Sequence, residues 1–280
     1  MIKALFGGIL VAGLLVSPAF AQSSAGTWND LPDRFQIDTG YFRVTSDTTL
    51  RYNGQAGAGD VSFEKDLGVD PHATTFWLDA AWRLGRRHQV KLSYTRLNRE
   101  RAGHTLERDF QWGGDTFNAG LSATSTTGID ILGGYYRFAA FRNDRFEIGP
   151  TAGFGELWLR AGIQATGSIA GPGGAEVSRT LDHSASISSV TGALGGYANA
   201  SPAKRLVFRG DFLYFKASPG NTTASITDWR LGGDYYFFRN AGIGVQYKYN
   251  RYSYDRGVLV SKLGGEMTDK GIQVFLSFLF

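Results

Sequence analysis

The chain has 280 residues, a formal net charge of +4, no cysteine, 38 glycines and 14% aromatic residues. The lack of cysteine excludes a disulfide framework, a thiolate nucleophile and a cysteine metal site. The small, scattered positive charge gives no basis for nucleic-acid binding.

The first segment, MIKALFGGILVAGLLVSPAFAQ, carries one cation, Lys3, then an apolar run ended by Ser17-Pro18 and a small-x-small site at Ala19-Phe20-Ala21. This is the pattern of a secretory signal peptide, residues 1–21, cut after Ala21. The run is too short for a bilayer-spanning helix, which needs roughly 20 apolar residues. The rest, residues 22–280, reads as one domain. No later run is long enough for a spanning helix. If this domain enters a membrane, it does so as a closed barrel, because lipid leaves no partner for an unpaired strand edge.

Period-two alternation then recurs along the chain. Ten segments show it, near 34–44, 74–84, 88–98, 120–139, 145–165, 185–200, 204–217, 226–238, 241–255 and 269–280. In DWRLGGDYYFF, Trp229, Leu231, Tyr235 and Phe237 share one face, and Asp228, Arg230 and Asp234 the other. In GIGVQYKYNRY, Ile243, Val245 and Tyr247 oppose Gln246 and Lys248. Four connections are short. Five are longer, near 45–73, 99–119, 166–184, 218–225 and 256–268. Short turns at one end and long polar loops at the other predict an all-β, single-domain antiparallel transmembrane barrel. Ten strands fit, and eight or twelve stay open. An even count places both termini at the short-turn, periplasmic end. Outward aromatics, Trp82, Tyr135, Tyr235, Phe278 and Phe280 among them, are expected as a girdle at that end.

The last segment, GIQVFLSFLF, sets Ile272, Val274, Leu276, Phe278 and Phe280 on one face. It resembles the C-terminal strand of Gram-negative outer-membrane β-barrel proteins. That resemblance implies an outer-membrane location, an assembly signal in those five residues, and recognition by the barrel-assembly machinery. Outer-membrane lipids and lipopolysaccharide are then expected partners.

The charges assigned to the inner face are Asp79, Arg83, Lys91, Asp130, Arg209, Asp211, Asp228, Arg230, Asp234 and Lys248, with Glu156 and Arg160 joining them. Their mixed signs fit either a packed ion-paired interior or a polar pathway with little ion selectivity. The leading expectation is porin-like passage of small hydrophilic solutes. The alternative is a non-conducting structural or adhesion barrel whose loops bind a partner. A remote third is an outer-membrane hydrolase. Asp182-His183-Ser184 is one local acid, base and hydroxyl cluster, but neighbours on a strand point to opposite faces. No catalytic, metal or cofactor set is therefore assigned, and the chain is expected not to be an enzyme. Asp60, Glu64, Asp66 and Asp70 read as a solvated acidic loop, with a hairpin rising between LRYNG and DVSFE.

Overall fold

The computed structural model describes residues 34–54, 57–112, 115–170, 176–217, 222–258 and 261–280. The expected signal peptide lies outside the described residues.

Ten long strands form the wall: β1 (Phe35–Gly54), β3 (His72–Arg83), β4 (His88–Thr105), β7 (Ser122–Phe138), β9 (Phe146–Ala170), β10 (Glu176–Ala203), β11 (Leu206–Ala217), β12 (Thr222–Tyr236), β13 (Ala241–Val258) and β14 (Ser261–Leu279). Each is antiparallel to its neighbours in chain order. β14 also pairs with β1, from Gln36↔Leu279 to Asn53↔Lys262, which closes the sheet. The remaining pieces are short. β2 (Gly57–Ser62) folds back on β1, β5 (Phe110–Trp112) pairs with β6 (Asp115–Phe117), and β8 (Phe141–Arg142) pairs with β9. The first loop does hold a hairpin, but it extends β1 and adds no strand to the ring. The count is ten.

In three expected long loops, near 166–184, 218–225 and 256–268, the described residues are continued strand. β9 and β10 stay paired from Phe146↔Ala200 to Ala170↔Glu176. Ladder hydrogen bonds satisfy the backbone equally well in lipid and in water, so pairing need not stop where the apolar stripe stops.

Side chains divide the ring into two halves. Toward the short turns (the turn end), the exterior is apolar. Tyr41, Phe76, Leu92, Phe154, Leu194, Phe212, Leu231, Val245 and Val274 are exposed there, while charged residues are buried inside. This is a barrel turned inside out relative to a water-soluble one, as a lipid surround requires. Toward the long loops (the loop end), the phase inverts. Leu97, Ile129, Leu157 and Ile163 are buried inside, while Arg96 and Arg160 are exposed outside.

Tyr135 departs from the girdle expectation. Its hydroxyl lies where a Cβ on Gly133 would stand, so only glycine there lets the ring fold inward. Tyr136 takes the outward position.

Candidate functional site

The interior is the candidate site, and it has two layers. The turn-end layer is a charged plug. Arg230 donates to Asp79 at 2.8 Å and lies 3.3 Å from Asp228. Lys91 joins Asp79 at 2.9 Å and Asp211 at 3.6 Å, and Arg137 also pairs with Asp211. Lys248 lies 3.8 Å from Asp228. Arg209 bridges Asp38, at 2.5 Å, and Asp234. Arg83 pairs with Glu147 at 2.8 Å, and Arg142 meets the same carboxylate at 3.2 Å. These cations and anions come from strands all round the ring, so the plug spans the lumen. Buried charges persist only when partnered in this way. One pocket among them has a volume of about 30 Å³ and is lined by Asp38, Asp79, Lys91, Arg209 and Asp211 among others.

Nine of the ten side chains assigned to the inner face lie in this layer. Asp130 does not. It alternates with buried Ile129 and shares the outward face of β7 with exposed Leu132. It accepts from Arg160 at 2.7 Å and lies 3.5 Å from Arg96, both on the exterior. Arg160 lies outside with it, and Glu156, four residues earlier on β9, has the same outward parity. The error has a physical cause. The residues around Asp130 are apolar on both parities, and at this height the exterior is no longer the apolar face. A matching exterior cluster holds Glu266 between Arg251, at 2.8 Å, and Arg51, at 3.4 Å.

An aromatic layer separates plug from loop half. Trp77 and Phe275 meet edge to face at 5.2 Å. From the charged side, Arg209 lies over Phe275 and Lys248 over Phe42. Above this lies a continuous apolar cluster that includes Leu97, Ile129, Leu157, Tyr252 and Met267.

A cap closes the loop end. Val61 on β2, with Phe63, Leu67 and Val69 just after it, packs on Leu106, Phe117, Leu121, Ile163, Ala165 and Leu181. The acidic loop is thus not simply solvated. Glu64 accepts from Arg99 at 2.6 Å and from the Thr48 backbone at 2.8 Å, with both charged side chains largely buried. Asp66 accepts from Arg108 at 2.6 Å and from the Ser62 backbone at 2.8 Å. The hydrogen bond from Arg108 holds the Asp66 carboxyl below the usual range. Gly68, at φ +64°, passes so close to His104 that a Cβ would sit 2.5 Å from Nδ1. Sequence reading missed this cap. Its signal was the period-two set Val61-Phe63 and Leu67-Val69 inside a segment taken for a polar loop.

Between the apolar cluster and the cap lies a cavity of about 100 Å³, lined almost wholly by carbon. Its walls include Leu50, Leu157, Leu159, Ile226, Tyr252 and Met267.

At the loop end, Asp182 and Ser184 stand on the exterior parity of β10. His183 points inward, with its ring edge on Phe117. The three do not meet. His72 Nδ1 is 3.1 Å from Thr45 Oγ1, and His88 lies against Tyr136 and Phe138 on the exterior.

No protein-family model matches the chain, and no curated protein matches it. Solved structures do. The outer membrane protease OmpT from Escherichia coli aligns with a TM-score of 0.56 at 16% identity, over 90% of this chain and 98% of that one. The attachment invasion locus protein Ail of Yersinia pestis aligns at 0.30 and 12% identity, over 87% and 99%. The toluene transporter TodX of Pseudomonas putida aligns at 0.35 and 10% identity, over 95% and 94%. The last two superpose too loosely to carry an argument. The likeness to OmpT corrects one expectation, that the chain is not an enzyme, since the matching frame is that of a protease. At this identity the likeness concerns the frame and not the chemistry grafted on it. The chain has the fold of the Gram-negative outer-membrane β-barrels: all-β, antiparallel, closed and ten-stranded.

Proposed function

We propose that the chain is a closed outer-membrane barrel whose working end is the loop end. The observation that carries this reading is the ion-paired plug, in which cations and anions from strands round the ring meet one another across the turn half. A hydrated ion needs a continuous aqueous path, and a filled small barrel offers none. On this reading the turn end faces the periplasm with both termini, after removal of residues 1–21. The stripe from Ile272 to Phe280 engages the assembly machinery. The two exterior arginine clusters, centred on Asp130 and Glu266, stand where lipopolysaccharide headgroups would meet the wall.

Porin-like passage of small hydrophilic solutes is the second reading. It is favoured by the inward charges of the turn half, and it requires the plug to rearrange. Single-channel recording of the purified protein in a planar bilayer, with heat-modifiable gel mobility to confirm folding, separates the two. The closed reading expects a silent bilayer. Stable steps that scale with salt would replace it with the second.

A further inference from the structure

We infer that the turn end is a docking surface for the anionic headgroups of the phospholipid leaflet it meets. The inference goes beyond the closed-barrel reading and takes from it only that the turn end faces the periplasm. An open or a closed lumen leaves it unchanged.

Three observations converge. First, every short turn carries exposed cations: Arg86 and Arg87 between β3 and β4, Arg145 between β8 and β9, Lys204 and Arg205 between β10 and β11, and Arg239 between β12 and β13. Asp144 is the one exposed side-chain anion at this end among the described residues. The loop end has no such bias, and there exposed Lys65, Asp70, Glu107 and Arg108 mix both signs. The side chains of Arg86, Arg87, Arg145 and Lys204 make no ion pair among the described residues, whereas the plug cations Lys91, Arg209 and Arg230 all do. Their charge is left for a partner outside the chain. Second, Arg205 is the sole non-glycine residue of positive φ among the described residues, at 70°. Glycine would relax that turn. An arginine stands there instead, at a conformational cost. Third, the height of the cations selects the partner. Leu84 and Phe238 are exposed at the rim of the apolar belt. Arg86 follows Leu84 by two residues, and Arg239 follows Phe238 directly. Each residue advances the chain by at most about 3.6 Å, which sets both cations within about 7 Å of the belt's edge. The headgroup region is roughly 5–8 Å deep on each side of a bilayer. An arginine at that depth meets phosphate, which its planar fork matches, before a soluble acidic partner can reach it.

The test uses the full mature protein in phosphatidylcholine vesicles with a trace of spin-labelled lipid. Electron paramagnetic resonance reads the fraction of label slowed at the protein surface, for phosphatidylglycerol and for phosphatidylcholine. The parent is expected to favour phosphatidylglycerol by about twofold or more, since a cation near an anionic surface is worth about fivefold and shares the lipid shell with neutral contacts. The preference should weaken as salt rises. A turn variant with Arg86→Gln, Arg87→Gln, Lys204→Gln and Arg205→Gly should lose most of it. The four side chains are exposed and the glycine relaxes a strained turn, so folding is retained, which heat-modifiable mobility checks. If that variant does not fold, Arg86→Gln with Arg87→Gln should still lower the preference, and Arg86→Lys with Arg87→Lys should match the parent. Arg43→Gln with Lys270→Gln removes as many exposed cations from the loop half, beside exposed Asp47, and should lower it less. No preference in the parent, or a preference lost in the loop-half variant and intact in the turn variants, would overturn the inference. Soluble polyglutamate that binds the parent and not the turn variant, with no phosphatidylglycerol preference, would overturn it too and give the face to a soluble acidic partner. A conducting barrel that keeps the preference sinks the closed reading and leaves this one. A silent barrel without it does the reverse.

Discussion

The two halves of the barrel share one ladder and oppose each other in every other respect. In the turn half, Leu231 and Val245 face out and Arg230 and Asp234 face in. In the loop half, Leu157 and Ile163 face in and Arg96 and Arg160 face out. The backbone does not register the change. What changes is the solvent outside, from hydrocarbon to water and headgroups, and the interior takes the complementary chemistry. Alternation along a strand therefore reports a boundary between two media, and the phase says which medium is on which side.

The largest expected effect lies inside the turn half. Arg230→Met leaves Asp79 and Asp228 short of a shared cation and should cost about 3–5 kcal/mol, because a buried charge pair broken on one side leaves charge uncompensated. Urea unfolding in lipid vesicles reads it, and a loss below 1 kcal/mol would mean that the plug is wet. Next comes the exterior. Val245→Arg should cost about 2–4 kcal/mol near the membrane midplane. Ser253→Arg, on the same face and strand but in the loop half, should stay within about 0.5 kcal/mol. Equal costs at the two positions would erase the boundary drawn here. Leu157→Ala enlarges the cavity and should cost about 2–3 kcal/mol.

Surface pairs come last. Asp130→Asn should change stability by less than about 1 kcal/mol, since its two arginines are half-exposed. A loss of several kcal/mol would place Asp130 back in the interior. Asp66 has a lowered folded-state pKa, so its contribution is present above the ordinary carboxylate range and is lost as pH falls through the lowered value. Cap stability should be the same at pH 7 and pH 5 and drop only in stronger acid. Asp66→Asn should remove that acid step. Proteolysis of the loop segment across pH measures both, and a drop between pH 7 and 6 would rule out Asp66 as the titrating group.

Most of the frame was legible because lipid is an unforgiving solvent. Trp229, Leu231, Ile243 and Val245 had to share a face, and the count of ten strands followed from such stripes. What escaped the sequence reading lies beyond the belt. Asp130 was placed inside because charge was equated with the inner face, a rule that holds only where the exterior is hydrocarbon. The cap was hidden for the same reason, since Phe63 and Leu67 sit in a stretch rich in Asp, Glu and Gly. The cavity could not be read at all. It is a volume left between Leu50, Ile226 and Met267, residues from different strands, and no local pattern encodes a shortfall of packing.

The seam between β1 and β14 has a consequence of its own. Phe35 and Phe280 exchange backbone hydrogen bonds, at 2.8 Å and 3.2 Å, so the described ends of the ring meet as any two neighbours do. A ring has no intrinsic starting point. A circular permutant, with residues 280 and 35 joined by a short linker and the chain opened in a loop-end connection, keeps every ladder and every side-chain face. It differs from the parent in which hairpin is last to be made and in carrying the Ile272–Phe280 stripe inside the chain. Order of synthesis and final shape are separable here, and the permutant is the means of telling which of them governs insertion.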